Sequence, residues 1–380
     1  FVQLTAFLNR TQFNNYVRKY DGNRYVKHFT CWNQLLAMMF GQLSYRESLR
    51  DLIVALEAHR ATQYHLGLGR NTIVKATLAY ANQTRDYRIF EDFAFYMMKE
   101  ACKKRETNIL NIPGKKYAFD STTIPLCLAT FPWAKFRSKK GGVKAHVLYD
   151  VEAQVPAFYT VTTASKHDST AMSSITYEPN SYYIFDRAYD TFKELYKIHL
   201  TGSYYVVRSK TNLKYKMVKW KRRMPMNVLT DAEVKLTGYL SEKKYPESFR
   251  FIRYYDEEDD CEFTFLTNAK HLSALDVANL YKKRWLVELF FKWLKQHLKI
   301  KRFWGTTKNA VRIQISVAII TYCLVAIVHH DMQLKRSTYE VLQILSISLT
   351  DKTRLRDLFD KTIFNDVKEL DYPLFKGLFD

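Results

Sequence analysis

The pattern of apolar and polar positions divides the chain into a helical first part, a β-rich middle and a helical end. Residues 1 to about 110 repeat apolar side chains at helical spacing, and residues 31–59 predict two helices broken near Gly41. From about residue 115, short runs rich in β-branched and aromatic residues predict strands. Helical spacing returns after residue 300. The chain is therefore predicted to be an α/β protein with helical regions at both ends.

The order of the predicted strands is informative. Three runs follow one another across short turns: KKYAFDSTTIPL, GGVKAHVLYDVE and VPAFYTVTTAS. Two more, SYYIFD and SYYVVRS, alternate with the helix-like segments KHDSTAMSSI and RAYDTFKELYKIHL. The first three predict an antiparallel meander, and the last two predict parallel strands joined by helical crossovers. This order is typical of the ribonuclease H-like fold.

A β-rich insertion interrupts this core at residues 210–268. It ends in a predicted hairpin whose turn, residues 256–260, is acidic, and a solvated turn explains that cluster better than a metal site does. It begins with a basic run without acids, interleaved with Tyr215 and Trp220, and we expect this run to contact DNA. The run comprises Arg208, Lys210, Lys214, Lys216, Lys219, Lys221, Arg222 and Arg223.

These changes in pattern predict five segments. A helical domain (1–110) precedes the first part of the core (111–209), the insertion (210–268), the returning core helix (269–305) and a C-terminal helical region (306–380). The N-terminal domain carries Arg10, Arg18, Lys19, Arg24 and Lys27 near its start. That basic character favours a DNA-binding domain, with a plain helical packing domain as the alternative.

The overall charge points to a polyanionic partner. Lys and Arg number 59 against 38 Asp and Glu, a net charge of +21. Nucleic acid is the commonest such partner, and an anionic membrane is the competitor. The most apolar stretch, residues 315–328, is short for a membrane span and predicts a buried helix, so no membrane partner is expected. The five cysteines are isolated and suggest neither a zinc site nor disulfides, which fits a reducing cytoplasm.

One helical face at residues 281–300 combines basic residues with a single acid. At about 100° per residue, Tyr281, Arg284, Glu288 and Lys295 share this face of one long predicted helix over 273–299. Lys292 and Lys299 lie close to the same face. Taken alone, the stripe could be the solvated face of a core helix.

Two further acids lie at positions that the predicted strand order makes adjacent. Asp120 lies in the middle of the first predicted strand, and Asp186 ends the fourth. Each could be a strand-end cap or a paired acid, but in this order the two positions are adjacent, and the returning helix could bring Glu288 to them. Three converging carboxylates repel one another unless a cation neutralises them, and their hard oxygen ligands suit Mg²⁺ or Mn²⁺. Two such ions can activate a water or a 3′-hydroxyl and stabilise the leaving oxygen of a phosphodiester. Asp168, by contrast, is predicted to be a helix N-cap, because Ser169 and Thr170 follow it.

The chain resembles the DDE transposases of the insertion sequence 4 family, bacterial cut-and-paste enzymes with a ribonuclease H-like core. The spacing Tyr281-x2-Arg284-x3-Glu288-x6-Lys295 is similar to that family's Tyr-Arg-Glu-Lys signature, and DST at 120–122 and FDRAYD at 185–190 resemble its first two acidic motifs. The resemblance implies that Asp120, Asp186 and Glu288 bind two divalent metal ions. It also implies that transposon-end DNA is contacted by Tyr281, Arg284, Lys295, Trp285 and Arg187.

The same resemblance implies how such an enzyme works. Family members excise an element with a hairpin at each end and insert it into target DNA, acting as a DNA-bound homodimer on terminal inverted repeats. The expected location is the bacterial cytoplasm, at the nucleoid. Family members of known mechanism hold a flipped base on a Trp late in the insertion, whereas the insertion of this chain carries only Trp220, much earlier. Tyr254 and Tyr255 lie near the expected position, and strand alternation should send their rings to opposite faces.

Two alternatives to a transposase remain open on the sequence alone. One is a ribonuclease H-like nuclease that cuts DNA without joining it. The other is a basic DNA-binding repressor that has lost catalysis, although the presence of all three carboxylates argues against it.

Overall fold

The computed structural model describes residues 1–107, 110–137, 140–189, 191–209, 213–258, 260–298, 300, 302–336 and 338–359. Within residues 1–107 the chain forms six α-helices, with a 3₁₀ turn, Arg60–Leu66, between the fourth and fifth. They are α1 (Val2–Thr5), α2 (Arg10–Lys19), α3 (Cys31–Leu43), α4 (Leu49–Ala58), α5 (Lys75–Thr84) and α6 (Arg88–Lys104). Thr30 is the N-cap of α3 and forms a capping box, in which its side chain accepts from the backbone N–H of Asn33.

The middle of the chain contains the strands and short helices. The strands are β1 (Lys116–Leu126), β2 (Lys135–Arg137), β3 (Lys140–Asp150), β4 (Val155–Thr163), β5 (Tyr182–Phe185), β6 (Tyr204–Arg208), β7 (Tyr215–Trp220), β8 (Val228–Leu236), β9 (Phe249–Asp256) and β10 (Cys261–Thr267). The helices among them are α7 (Asp168–Ala171), α8 (Phe192–Leu200) and α9 (Tyr239–Lys244). After them come α10 (Ala274–Lys282), α11 (Trp285–His297), α12 (Lys308–Asp331), α13 (Thr338–Ser348) and α14 (Leu355–Phe359).

The sheet confirms the predicted ribonuclease H-like core. Its central order is β4-β3-β1-β5-β6, in which β3 pairs antiparallel with both β4 and β1, while β5 runs parallel to β1 and β6. The first, second and third predicted strands are thus β1, β3 and β4, and the crossover strands are β5 and β6. Short β2, which the sequence analysis did not predict, pairs with the start of β3.

The insertion extends this sheet rather than forming a separate unit. Strand β10 pairs antiparallel with β6, and β9, β8 and β7 follow in order to the far edge of a ten-stranded sheet. Within it, β9 and β10 form the predicted hairpin, and Tyr255 pairs with Glu262 just before its acidic turn. Residues on the insertion are therefore held in fixed register with the core strands.

Alternate residues of the strands serve two hydrophobic cores. Ala118 and Ile124 of β1 belong to a core shared with the N-terminal helices, α10, α11 and α12, whereas Tyr117 and Phe119 belong to a core covered by α7 and α8. Helix α12 packs against α3, α5, α6 and β4, so the N-terminal and C-terminal helices are joined in one layer on one face of the sheet. The predicted domain boundaries remain predictions.

Of the described helices, α12 alone has the length and apolar composition that a membrane crossing requires. In the folded chain, 94% of its most apolar window is buried inside the protein. Its apolar side chains therefore build the core, as the sequence predicted for residues 315–328.

One helix prediction is confirmed and one was wrong. Residues 31–59 form the two predicted helices, and the break between α3 and α4 begins at Ser44, three residues after Gly41. Gly41 lies inside α3, where a Cβ would come within 2.5 Å of the Trp304 ring. The predicted single helix over 273–299 is divided into α10 and α11 at Lys283 and Arg284. There the backbone N–H groups of Arg284 and Val287 donate to the carbonyls three residues earlier, those of Tyr281 and Arg284. The chain therefore forms a 3₁₀-like turn, although no Gly or Pro marks it in the sequence.

A buried ion pair in the insertion generates a stability prediction. Arg250 on β9 donates to both carboxylate oxygens of Asp231 on β8, at 2.7 and 2.8 Å, and to the Leu272 carbonyl at 2.6 Å. Both side chains are about 5% exposed. Arg250→Ala leaves a buried carboxylate with only Lys221 as its partner, so we expect the free energy of unfolding to fall by about 3–5 kcal/mol.

The matched control is Arg253→Ala, three residues along the same strand. Arg253 pairs with Glu262 where both side chains are nearly half exposed, so its loss should cost less than about 1 kcal/mol. Urea unfolding followed by circular dichroism measures both. Equal effects of the two substitutions would contradict the structural role assigned to the buried pair.

Candidate active site

The register of two parallel strands brings Asp120 and Asp186 together. Phe119 on β1 is paired with Phe185 on β5, and these are the last partners in that ladder. Asp120 and Asp186 are the next residues on the two strands, so both lie where β5 ends and β1 continues alone on that side. The position matches the carboxyl edge of a parallel sheet, where α/β proteins commonly build their sites.

Helices α10 and α11 bring the third carboxylate and two polar partners to this edge. The Tyr281 hydroxyl donates to Asp186 Oδ1 at 3.0 Å. The Arg284 guanidinium bridges the other two acids, donating to Asp120 Oδ2 at 3.1 Å and approaching Glu288 Oε1 to 2.6 Å. The turn that separates the helices thus carries the residue that joins the cluster. Asp120, Asp186 and Glu288 meet around Tyr281 and Arg284.

Burial and charge leave Asp120 in need of a cation. Burial, together with nearby Glu288 and Asp186, raises the pKa of Asp120 to about 6, while the Ser121 amide and Arg284 oppose the rise. The Arg284 side chain is itself only 14% exposed, so its contacts with the acids are poorly screened by water. A cation is therefore the natural companion of this cluster, and Arg284 fills that role in the structure.

The donor set suits a divalent ion, but its present arrangement does not display a ready site. Carboxylate oxygens are the ligands that Mg²⁺ and Mn²⁺ prefer. Among the described residues, no three acidic, histidine or cysteine side chains are grouped to hold a metal ion as they stand. Because Arg284 lies between Asp120 and Glu288, a metal ion at these oxygens requires the guanidinium to move. The assignment of the three acids as metal ligands stays a prediction.

The remaining residues predicted to contact DNA differ in their exposure. Trp285 is 56% exposed, and Lys292 is exposed on α11. Lys295 is half-buried on the same helix, and Arg187 is exposed in the 3₁₀ turn that follows Asp186. Lys299, like Lys210 of the basic run, falls outside the described residues.

An aromatic cavity of about 540 Å³ opens beside the cluster. Tyr254 on β9 faces Phe263 on β10 across the ladder, and both rings line the cavity with Tyr281 and Trp285. The Arg208 guanidinium lies over the Phe263 ring at 4.9 Å. Phe263 and Phe265 were not among the residues predicted from the sequence, although their alternation along β10 indicates that they share one face.

The other aromatic candidates lie away from this cavity. Tyr255 points to the opposite side of β9, where its hydroxyl donates to Asp260 at 2.5 Å. Trp220 is 65% exposed on β7, the far edge strand, six strands from β1 and so roughly 30 Å along the sheet. The prediction that Tyr254 and Tyr255 diverge matches their observed environments, and Tyr254 is the one beside the cluster.

The basic run is exposed along this far edge. Strand β7 is exposed at every position after Tyr215, and the two lysines on either side of Trp220 face solvent with it. Lys221 pairs with Asp231 at 2.9 Å. The described cations of the run are Lys214, Lys216, Lys219, Lys221, Arg222 and Arg223, all exposed, together with half-buried Arg208.

Asp168 is not the helix N-cap that the sequence predicted. His167 occupies that position, its side chain accepting from the Ser169 amide. The Asp168 side chain turns instead toward the sheet, where it accepts from Ser121.

Comparison with known proteins assigns the family. The profile described as Transposase DDE domain matches residues 113–324, more than half of the chain. The chain belongs to the DDE transposase family. A second profile, a domain of unknown function (DUF4372), matches residues 1–69 of this transposase. The first match covers the sheet and continues into α12, and the second covers α1 to α4 and the 3₁₀ turn after them.

Three relatives are described as putative or probable transposases, two of them for insertion sequence elements. The transposase is 34% identical over 245 residues to the putative transposase y4zB of Sinorhizobium fredii, covering 63% of this chain and 67% of that one. It is 29% identical over 246 residues to the probable transposase for insertion sequence element IS5377 of Geobacillus stearothermophilus, covering 64% of each. It is 24% identical over 297 residues to the putative transposase for IS4SA of Synechocystis, covering 76% of this chain and 81% of that one. The matched segment thus spans about two thirds of the first two relatives.

Among solved structures, the transposase aligns with a piggyBac transposase synaptic complex with hairpin DNA. The alignment covers 96% of this chain and 82% of that chain, with 12% identity and a TM-score of 0.48.

Proposed function

We propose that this transposase cleaves DNA at the ends of its element and joins those ends to target DNA by metal-dependent hydrolysis and strand transfer. The observation that carries the proposal is the cluster of Asp120, Asp186 and Glu288 around Tyr281 and Arg284 at the edge of the sheet. It is supported by the family and by the net charge of +21, which suits a DNA partner.

The three carboxylates would hold two Mg²⁺ ions, with Mn²⁺ able to substitute. Bound ions supply an activated water or 3′-hydroxyl and stabilise the leaving oxygen of the phosphodiester. The protein itself contributes by positioning the three carboxylates. Strand register fixes Asp120 beside Asp186, and the turn between α10 and α11 holds Glu288 against them. No covalent bond between protein and DNA is needed.

Arg284 would exchange its carboxylate partners for a DNA phosphate. A guanidinium binds phosphate and carboxylate with the same planar geometry, so an arriving phosphate can draw Arg284 away as cations take its place. Lys292 and Lys295 on the same helix, Lys299 further along the sequence and Arg187 after β5 would hold the neighbouring backbone. The Tyr281 hydroxyl donates to Asp186, so it would orient that carboxylate beside the same DNA backbone.

The aromatic cavity would receive a base that leaves the stack when the strand bends into a hairpin. Unstacking a base costs a few kcal/mol, and an aromatic platform returns about 1–3 kcal/mol. Tyr254 and Trp285 line a cavity of about 540 Å³ beside the carboxylates, which supports Tyr254 as the platform in place of Trp220. Tyr255 faces the other way.

Two basic surfaces away from the carboxylates would bind further DNA. The exposed cations of β7 and the following loop form one, with Trp220 among them. The other is a cleft of about 1040 Å³ in the N-terminal helices, lined by Arg24, Lys27 and Arg70. There Arg24 lies over the Tyr25 ring, which is 89% exposed. This cleft supports the N-terminal region as the domain that recognises terminal inverted repeats.

The complete reaction requires two ends held together, so we propose a homodimer in the DNA-bound complex. The proposed location is the bacterial cytoplasm, at the nucleoid where the substrate lies. A nuclease that cuts without joining is the nearest rival function. An end already cleaved to a 3′-hydroxyl, incubated with plasmid, separates the two, because only a transposase inserts that end.

The first functional prediction concerns the carboxylates. Asp120→Ala, Asp186→Ala and Glu288→Ala should each reduce cleavage of a terminal inverted repeat in Mg²⁺ by at least about a thousandfold, since ligand loss removes the metal ions. Binding to the same duplex should stay within about twofold, because phosphate contacts remain. Gel assays measure both quantities.

Glu262→Ala is the control, because it removes an exposed acid of β10 that pairs with Arg253 and lies outside the cluster. Cleavage by Glu288→Ala at a rate close to that of the unchanged protein would overturn the assignment. A basic repressor without catalysis is refuted by metal-dependent nicking.

The second functional prediction concerns the cavity. Tyr254→Ala should lower the yield of hairpin from pre-nicked ends about fivefold or more, corresponding to loss of about 1 kcal/mol of stacking. Tyr254→Phe keeps the ring and should retain most of the yield. Tyr255→Ala is the matched control, expected to stay near the unchanged protein because its ring lies away from the cavity. Trp220→Ala should lower the yield less than Tyr254→Ala does, because Trp220 lies on the far edge strand of the sheet. Equal yields from Tyr254→Ala and Tyr255→Ala would refute the role of this cavity.

A further inference from the structure

The face of the sheet behind Asp120 carries a second polar cluster. In the antiparallel ladder, Ser121 is opposite His146, and Thr123 is opposite Lys144. Directly opposed residues project to the same face, so Ser121, His146 and Lys144 lie together, on the side away from Asp120. The start of α7 covers them.

Asp168 at the start of α7 is tied to this cluster. Its Oδ1 accepts from the Ser121 hydroxyl at 2.7 Å and from the Lys144 ammonium at 2.9 Å. The His146 ring, fully buried, places Nδ1 at 3.9 Å from the same oxygen. Burial alone would raise the pKa of Asp168, but the bonds from Ser121 and Lys144 outweigh it and hold that pKa below its ordinary value. Asp168 is therefore an anchored carboxylate in contact with a lysine.

Ser121 connects this cluster to the candidate active site. While its side chain donates to Asp168, its backbone N–H donates to Asp120 Oδ1 at 2.7 Å. The other Asp120 oxygen is held by Arg284. Strand β5 ends opposite Phe119, so beyond it no ladder with β5 holds this edge of β1. Once Arg284 moves to a phosphate, the Ser121 amide is the protein contact that remains on the Asp120 carboxylate.

We infer that Asp168, fixed by Lys144, is a positioning residue that acts through Ser121 to orient Asp120. This inference rests on the proposed function, in which Asp120 binds a metal ion. Groups that orient a metal ligand commonly contribute about 10–100-fold to metal affinity or activity. Asp168 itself lies behind the strand, with its contacting oxygen already used by Ser121 and Lys144, so it does not join the metal site.

The test compares Asp168→Ala, Ser121→Ala and the double variant in the full chain. Each single substitution should raise the Mg²⁺ concentration for half-maximal cleavage about tenfold, with duplex binding unchanged. Because both act through one bond, the double variant should be no worse than either single one. Asp168→Asn retains an oxygen that can accept from Ser121 and should stay within about threefold of the unchanged protein. Ser169→Ala, on the same short helix and bonded to His167, is the control.

Three results would overturn the inference. Asp168→Ala could leave the Mg²⁺ requirement unchanged, or the single effects could multiply to about a hundredfold in the double variant. Asp168→Asn could also be as inactive as Asp120→Ala, which would make Asp168 a ligand. If Asp168→Ala does not fold, Asp168→Asn and Ser121→Ala carry the same test. An active Asp120→Ala refutes the proposed function itself, whereas an inactive Asp120→Ala with unaffected Asp168→Ala refutes only the positioning role.

Discussion

The guanidinium of Arg284, held between Asp120 and Glu288, is the contact around which the candidate site is organised. Three acids at one sheet edge repel one another, and burial adds to the cost of each charge. Arg284 offsets that charge from within the chain. The same residue carries a planar fork suited to phosphate, so under the proposed function one side chain would serve both the acids and an arriving DNA phosphate.

The rest of the architecture keeps this contact in place while leaving one side open. The turn that divides α10 from α11 presents Arg284, and the buried face of α11 packs with α12, the long helix at the centre of the helical layer. On the other side, the insertion continues the sheet through β10 and β9, so its aromatic face forms a wall beside the carboxylates. Fixed strand register thus connects the edge that carries Asp120 and Asp186, the aromatic cavity and the basic edge strand.

Local patterns in the sequence were sufficient for the core strands and for the approximate meeting of the three acids. Alternation marked β1, β3 and β4, and the strand order then made Asp120 and Asp186 neighbours. The features that could not be predicted from the sequence are those that tertiary contacts decide. The turn at Lys283 and Arg284 has no breaker residue, and Asp168 is a residue type typical of helix caps but bonds to a strand. The joining of β10 to β6 depends on long-range pairing, which a single sequence does not specify.

The central claim is that Arg284 is the cluster's internal counter-ion, in competition with divalent cations. Mn²⁺ binding to the DNA-free protein, followed by electron paramagnetic resonance, tests it without relying on activity. Arg284→Gln should bind Mn²⁺ on the order of tenfold more tightly than the unchanged chain, equivalent to about 1.4 kcal/mol. Lys292→Gln removes the same charge from an exposed position one turn beyond Glu288, where screening is strong, and should change the affinity less than about twofold. An Arg284→Gln protein that binds Mn²⁺ no more tightly than the unchanged chain, or only as Lys292→Gln does, would contradict the account.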